Sequence, residues 1–182
     1  MEDLLSYSPT FNEDISNWDV SSVTTMRSMF WGAELFNQDL SSWDVSSVTS
    51  MRSMFNSASA FDQDLTSWDV SSVTTTRSMF AEASSFNGDL SSWDVSSVTE
   101  MTWMFWLAES FNGDLSSWDV SSVTDMSAIF HEAASFNQNL CAWGLRIPNN
   151  ADVSIPFVET NCLSTSQPNL TGTPPGPFCH VC

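Results

Sequence analysis

The chain has 182 residues, 42% of them hydrophobic, which is enough for a core and too many for wholesale disorder. Its 22 Asp and Glu against 4 Arg and no Lys leave a net charge of −18, which argues against nucleic acid and anionic lipid as partners. No apolar run approaches the roughly 18 residues of a membrane span, and 34 Ser and 15 Thr supply most of the polar surface.

The sequence repeats every 25 residues. Residues 1–10 read as an N-terminal half-repeat: a shift of 25 sets Met1 on Met26 and Leu4-Leu5 on Met29-Phe30. Met1 then reads as a core methionine, as expected of a mature or trimmed piece of a longer chain. Residues 11–135 hold five full units, opened by Phe11, Phe36, Phe61, Phe86 and Phe111; the second is FNQDLSSWDVSSVTSMRSMFNSASA. Residues 136–162 are a degenerate capping repeat, in which Pro156-Phe157 align with Met29-Phe30 after two inserted residues. Residues 163–182 form a Pro/Thr/Cys-rich tail with no regular element expected.

Within a unit, Trp18 and Val20 flank Asp19 at period two, which predicts a short strand. Val23, Met26, Met29, Phe30 and Ala33 follow at spacings of three and four, which predicts a short helix. Ser22 is its expected N-cap, and Ser97 with Glu100 and Ser122 with Asp125 read as capping boxes. A strand, a helix and a turn per 25 residues predict an α/β repeat solenoid of about six coils, with a short parallel sheet running along the stack. The column Trp18, Trp43, Trp68, Trp93, Trp118 and Trp143 is its expected core spine; a carbohydrate-stacking platform is the rival reading.

The pattern WDVSSVT-x-M-x-x-MF-x-x-A-x-x-FN-x-DL closely resembles the BspA-like leucine-rich-repeat surface proteins, over residues 1–143 and more loosely to 162. The resemblance implies a leucine-rich-repeat-like fold and an extracellular, surface-displayed protein used in adhesion or cell-surface structure. It supplies no catalytic residues.

All four cysteines, Cys141, Cys162, Cys179 and Cys182, lie in the cap and tail. Four cysteines allow three pairings. A Cys141–Cys162 staple would lock the cap and leave Cys179 with Cys182, or with another chain. Cys179-His180-Val-Cys182 could instead hold zinc, though a secreted protein would oxidise it. Asn169-Leu-Thr171 is a glycosylation sequon, in keeping with secretion.

Two acidic columns run through the units. Asp14, Asp39, Asp64, Asp89 and Asp114 end in Asn139; Asp19, Asp44, Asp69, Asp94 and Asp119 end in Gly144. Asx-turns explain both. Calcium held between coils by the first column is the sharper alternative and the one cofactor the sequence suggests. The column Asn12, Asn37, Asp62, Asn87, Asn112 and Asn137 reads as structural, its amides satisfying backbone groups between turns.

Catalysis has little footing. His131 and His180 are the two histidines, and the carboxylates are identical columns rather than pairs held in contrasting environments. Trp31, Trp103, Trp106 and Leu107 stand at variable positions where the core needs no apolar residue, and Arg27, Arg52 and Arg77 make a short basic column; these seven are interface candidates. The expectation is a non-enzymatic extracellular structural protein that self-assembles head to tail into a fibre or layer. A monomeric adhesin for a glycan or protein ligand and an ice-binding Ser/Thr face are the alternatives.

Overall fold

The structure, a computed structural model, describes residues 1–172 and 176–180. The fold follows from where the backbone N–H groups go. Over residues 26–33 they alternate. Those of Met29, Trp31 and Ala33 close tight turns onto the carbonyls of Met26, Ser28 and Phe30, at 3.2, 3.2 and 3.0 Å. Those of Met26, Ser28, Phe30 and Gly32 leave the unit and donate to Ser50, Arg52, Met54 and Asn56 of the next, at 3.0, 2.9, 2.9 and 2.8 Å. The alternation recurs through each unit, ending with Ala128, Phe130 and Glu132 donating to Ser154, Pro156 and Val158. Each 25-residue unit is one coil of chain, stacked on the next.

Alternation demands unusual backbone at two positions per coil. Ser28, Ser53, Ser78, Trp103 and Ala128 have φ between 52° and 58°, and Gly32, Ser57, Glu82, Leu107 and Glu132 have φ between 56° and 70°. Each is the third residue of a tight turn, where a type II turn places its positive φ.

These turns correct the expected α/β architecture. No helix forms over residues 23–33: in a helix the N–H groups would bond within the coil, whereas here half of them bond between coils. The capping residues serve otherwise: Glu100 accepts from Thr75 and Arg77 of the preceding coil, and Asp125 from Ser127. No sheet forms either. Parallel pairing is one residue wide, from Thr25 to Ser50, Thr75, Glu100, Asp125 and Asp152. The expected strand at Trp18-Asp19-Val20 does not pair, although its counterparts Trp43 and Val45 are buried with Asp44 exposed between them. Among the described residues the regular helix is a 3-10 turn, Cys141–Leu145, in the cap.

Stacking sets side chains in columns. Phe30, Phe55, Phe80, Phe105, Phe130 and Phe157 lie face to face with ring centroids 5.3–5.9 Å apart. Phe11, Phe36, Phe61, Phe86, Phe111 and Phe136 make a second column at 5.8–6.1 Å. Within each coil the two columns touch, as Phe80 and Phe86 do at 3.9 Å. Such offset pairs contribute about 0.5–1.5 kcal/mol each beyond area burial. The five tryptophans from Trp43 to Trp143 are buried, and each indole N–H donates 28 residues back, Trp93 to the Leu65 carbonyl at 3.0 Å for example. Trp18, first of its column, is partly buried.

Polar columns knit the surface in the same register. Asn12, Asn37, Asp62, Asn87 and Asn112 each accept, through a side-chain oxygen, the backbone N–H 25 residues on, at 2.8–2.9 Å. These groups are not buried amides; they are half-buried or exposed, and they bridge coils at the rim. Thr49, Thr74, Thr99 and Thr124 donate their hydroxyls to the preceding Thr carbonyl. Ser42, Ser67, Ser92 and Ser117 donate 26 residues back; at Ala142 the hydroxyl is missing, and Arg146 brings its guanidinium onto the carbonyls of Ser116, Ser117 and Trp118 instead.

The disulfide pairing differs from the expected staple. Cys162 is bonded to Cys179, with Cα atoms 4.8 Å apart, so neither Cys141–Cys162 nor Cys179–Cys182 forms. Cys141 is disulfide-bonded as well, and Cys182 lies outside the described residues. With Cys179 oxidised, the zinc reading of Cys179-His180-Val-Cys182 loses a ligand. The tail is thereby laid over the last coil: Phe178 is buried, its carbonyl accepts from Leu140, and the His180 ring meets the Asn137 carbonyl at 3.2 Å.

Two substitutions test this backbone in urea melts. Ser53→Gly, at φ 55°, should leave stability unchanged or raise it by up to about 1 kcal/mol, whereas a helix interior would lose about that much. Thr76 replaces a methionine of its column, is 1% exposed, and its hydroxyl meets no partner among the described residues. Thr76→Val should therefore stabilise the chain by about 1 kcal/mol.

Candidate functional site

Where a stack is built from near-identical coils, chemistry is to be sought where repetition breaks. One such place lies near the C-terminal end. Trp103, Trp106, Ala128, His131 and Ile155 line an open, mostly apolar cavity of about 260 Å³. The matching positions in earlier coils are Ser28, Ser53 and Ser78 for Trp103, and Trp31, Asn56 and Ala81 for Trp106 and His131. Core packing explains none of the aromatic replacements. Trp103 projects from a left-handed position and is 42% exposed, and Ile155, at another, is 51% exposed.

The rim is polar. The Arg77 guanidinium lies 4.8 Å from the Trp103 ring centroid and 3.0 Å from Glu100 Oε1. His131 Nε2 lies 3.1 Å from Glu132 Oε1, while its Nδ1 is buried and without a partner among the described residues. Three sequence-derived candidates, Trp103, Trp106 and Arg77, thus come together. Leu107 is half-buried beside them in sequence but does not line the cavity. His131 and Ile155 were missed as members. Neither repeats at 25-residue spacing as the columns do, so periodicity does not mark them.

The other candidates sit apart. Trp31 is half-buried against Tyr7, centroids 4.9 Å apart, in a shallow depression with Pro9 and Gly32. Arg27 is exposed and Arg52 half-buried, so the basic column makes no common site with Arg77. Asn169 is exposed, and its side-chain oxygen accepts from Thr171.

Both acidic columns are turn-builders. Asp14, Asp39, Asp64, Asp89 and Asp114 accept the N–H two residues on at 2.8–2.9 Å, as Asn139 does at 3.0 Å. Asp19, Asp44, Asp69, Asp94 and Asp119 do so at 3.0–3.1 Å. Among the described residues no three His, Cys, Asp or Glu side chains group to hold a metal ion.

The two ends of the stack are unlike. At the N-terminal edge Met1, Leu5, Phe11, Trp18 and Val23 are only partly buried, while their counterparts Met26, Phe30, Phe36, Trp43 and Val48 are buried. The half-coil donates from Asp3, Leu5 and Tyr7 to Arg27, Met29 and Trp31, but no donor among the described residues meets the carbonyls of Glu2, Leu4 and Ser6. At the other end no acceptor among them meets the N–H groups of Ile155, Phe157 and Glu159. Each edge holds the half of the ladder that the other lacks.

Among the described residues no helix is long and apolar enough to cross a membrane. The fold and edges define a stacked-repeat protein with columns running from coil to coil. Residues 1–80 and 63–166 match the family described as "Mycoplasma protein of unknown function, DUF285", and the chain belongs to that family. No curated protein matches it. No solved structure matches it.

The turn carboxylates set a pH dependence. Backbone N–H groups, with the following hydroxyls, hold Asp14, Asp39, Asp64 and Asp89 below the ordinary carboxylate value. The Ser hydroxyls first, then the N–H groups, do the same for Asp19, Asp44, Asp69, Asp94 and Asp119. A pKa lowered on folding contributes stability that is present above the unfolded value and lost as pH falls through the folded one. The melting temperature should therefore fall steeply below about pH 4. Asp89→Asn should keep the turn, as Asn139 does, and blunt that fall; an acid profile unchanged by replacing several of these residues would disprove the assignment.

Proposed function

We propose that the chain is a non-enzymatic, extracellular structural repeat protein whose copies stack head to tail into a surface fibre or layer. The observation that carries this reading is the inter-coil ladder, whose donors and acceptors keep one register from coil to coil, so that the carbonyls of Glu2, Leu4 and Ser6 can accept from a further coil. Another copy, presenting the N–H groups of Ile155, Phe157 and Glu159, is the occupant with matching chemistry and register. A contact between unlike ends that does not close into a ring propagates as a filament. Oxidised cysteines suit an extracellular address. The likeness of the repeat to BspA-like surface proteins supports display at a cell surface, without that family's sheet-and-helix coil.

Leu4 and Tyr7 flank the open edge at 54% and 69% exposure, so changes there leave the core intact. Leu4→Lys and Tyr7→Lys together should block stacking by placing charge on the edge. In sedimentation velocity and negative-stain microscopy the unaltered protein should form oligomers that grow with concentration, and the double variant should not. A dispersed monomer at every concentration overturns the proposal.

A further inference from the structure

We infer that the cavity lined by Trp103, Trp106, Ala128, His131 and Ile155 binds a quaternary-ammonium group of the choline type, a small-molecule role distinct from stacking. The first argument is economy. Coils that fold with Ser, Asn and Ala at these positions show that the stack does not need the aromatic residues, yet Trp103, Trp106 and His131 converge on one cavity, while Trp31 at the same position of the first coil packs on Tyr7. An exposed indole that packing does not require is a recognition surface before it is anything else.

The lining then selects the ligand. At about 260 Å³ the cavity falls below the roughly 300–1,000 Å³ of sites for drug-sized molecules, so its occupant is small. Its lining is mostly apolar, two indoles, Ala128 and Ile155 beside one imidazole, with too few polar side chains to satisfy the ring of hydroxyls on a sugar. What it does offer is indole surface, on which cations are held by the ring quadrupole. Trp103 already holds one: Arg77, from the preceding coil, stacks on it at 4.8 Å. Ala128, His131 and Ile155 come from the coils that follow, so guanidinium and cavity approach the indole from opposite sides along the stack.

Charge adds to the match. The chain carries −18 and no lysine, so its field draws cations and few side chains of its own compete for the site. Glu132 stands against His131 at 3.1 Å, placing a carboxylate beside the cavity.

The test is isothermal titration of the intact protein with choline and with its neutral isostere 3,3-dimethylbutan-1-ol, which has the same shape without the charge. Choline should bind, and the neutral alcohol should bind at least about tenfold more weakly. Trp103→Ser and Trp106→Ala reproduce residues that earlier coils carry, so both variants should keep the parent melting temperature and lose choline affinity about tenfold. Co-sedimentation with phosphatidylcholine vesicles distinguishes a lipid-borne headgroup from a soluble choline ester; either source satisfies the proposal. Equal affinity for the neutral isostere, unchanged binding in both tryptophan variants, or no binding at about 10 mM choline overturns it.

Discussion

Everything in this molecule depends on a left-handed residue at two places in each coil. At Ser53 and Ser57 the chain turns so that successive N–H groups point alternately inward, to close a turn, and along the stack, to the next coil. Each residue there costs about 1–2 kcal/mol relative to an ordinary conformation. The return is collective: four inter-coil hydrogen bonds, a Phe on a Phe in two columns, and an indole reaching back 28 residues. None of these forms in an isolated unit. Stability resides in the contact between neighbours, as expected of a chain whose units each touch only the coils beside them.

The same economy governs the polar residues. With 22 carboxylates and 4 arginines, ion pairing cannot balance the charge. The aspartates instead terminate turns, accepting an N–H two residues on while staying in water, where neighbouring charges are screened. Asn and Asp serve equally as rim bridges in the column from Asn12 to Asn112, because only an oxygen at the right height is needed. Two of the arginines act where the repeat changes. Arg146 supplies donors to carbonyls at the end of the serine ladder, and Arg77 joins Glu100 to Trp103.

Function on such a scaffold belongs to its ends and its irregularities. The interior coils present the same surface over and over, with donors and acceptors consumed by their neighbours. The ladder has a register that a further coil can continue, and the cavity at Trp103 and His131 is distinct by the logic of substitution. The tail, tied by Cys162–Cys179 and buried through Phe178, closes part of the opposite end, so the two ends differ and a stack of copies has a direction.

The sequence by itself determined the 25-residue coil, the residues that face inward, and the role of Asp14 and Asp19 in turns, because periodicity and local side-chain chemistry report these directly. It also exposed Trp103 and Trp106 as departures from pattern, and Arg77 as part of a short basic column. It did not determine the backbone between Val23 and Ala33. Spacings of three and four say which side chains go inward, and a run of tight turns satisfies them as well as a helix does. Serine, tryptophan and alanine at the left-handed positions carry no glycine signature, Gly32 being the single exception in ten. Nor did it determine that Cys179 pairs with Cys162, or that His131 and Ile155 join the tryptophans. Those were decided by tertiary structure alone: hydrogen bonds between coils lie about 24 to 28 residues apart in sequence, and only the stack brings such groups within bonding distance.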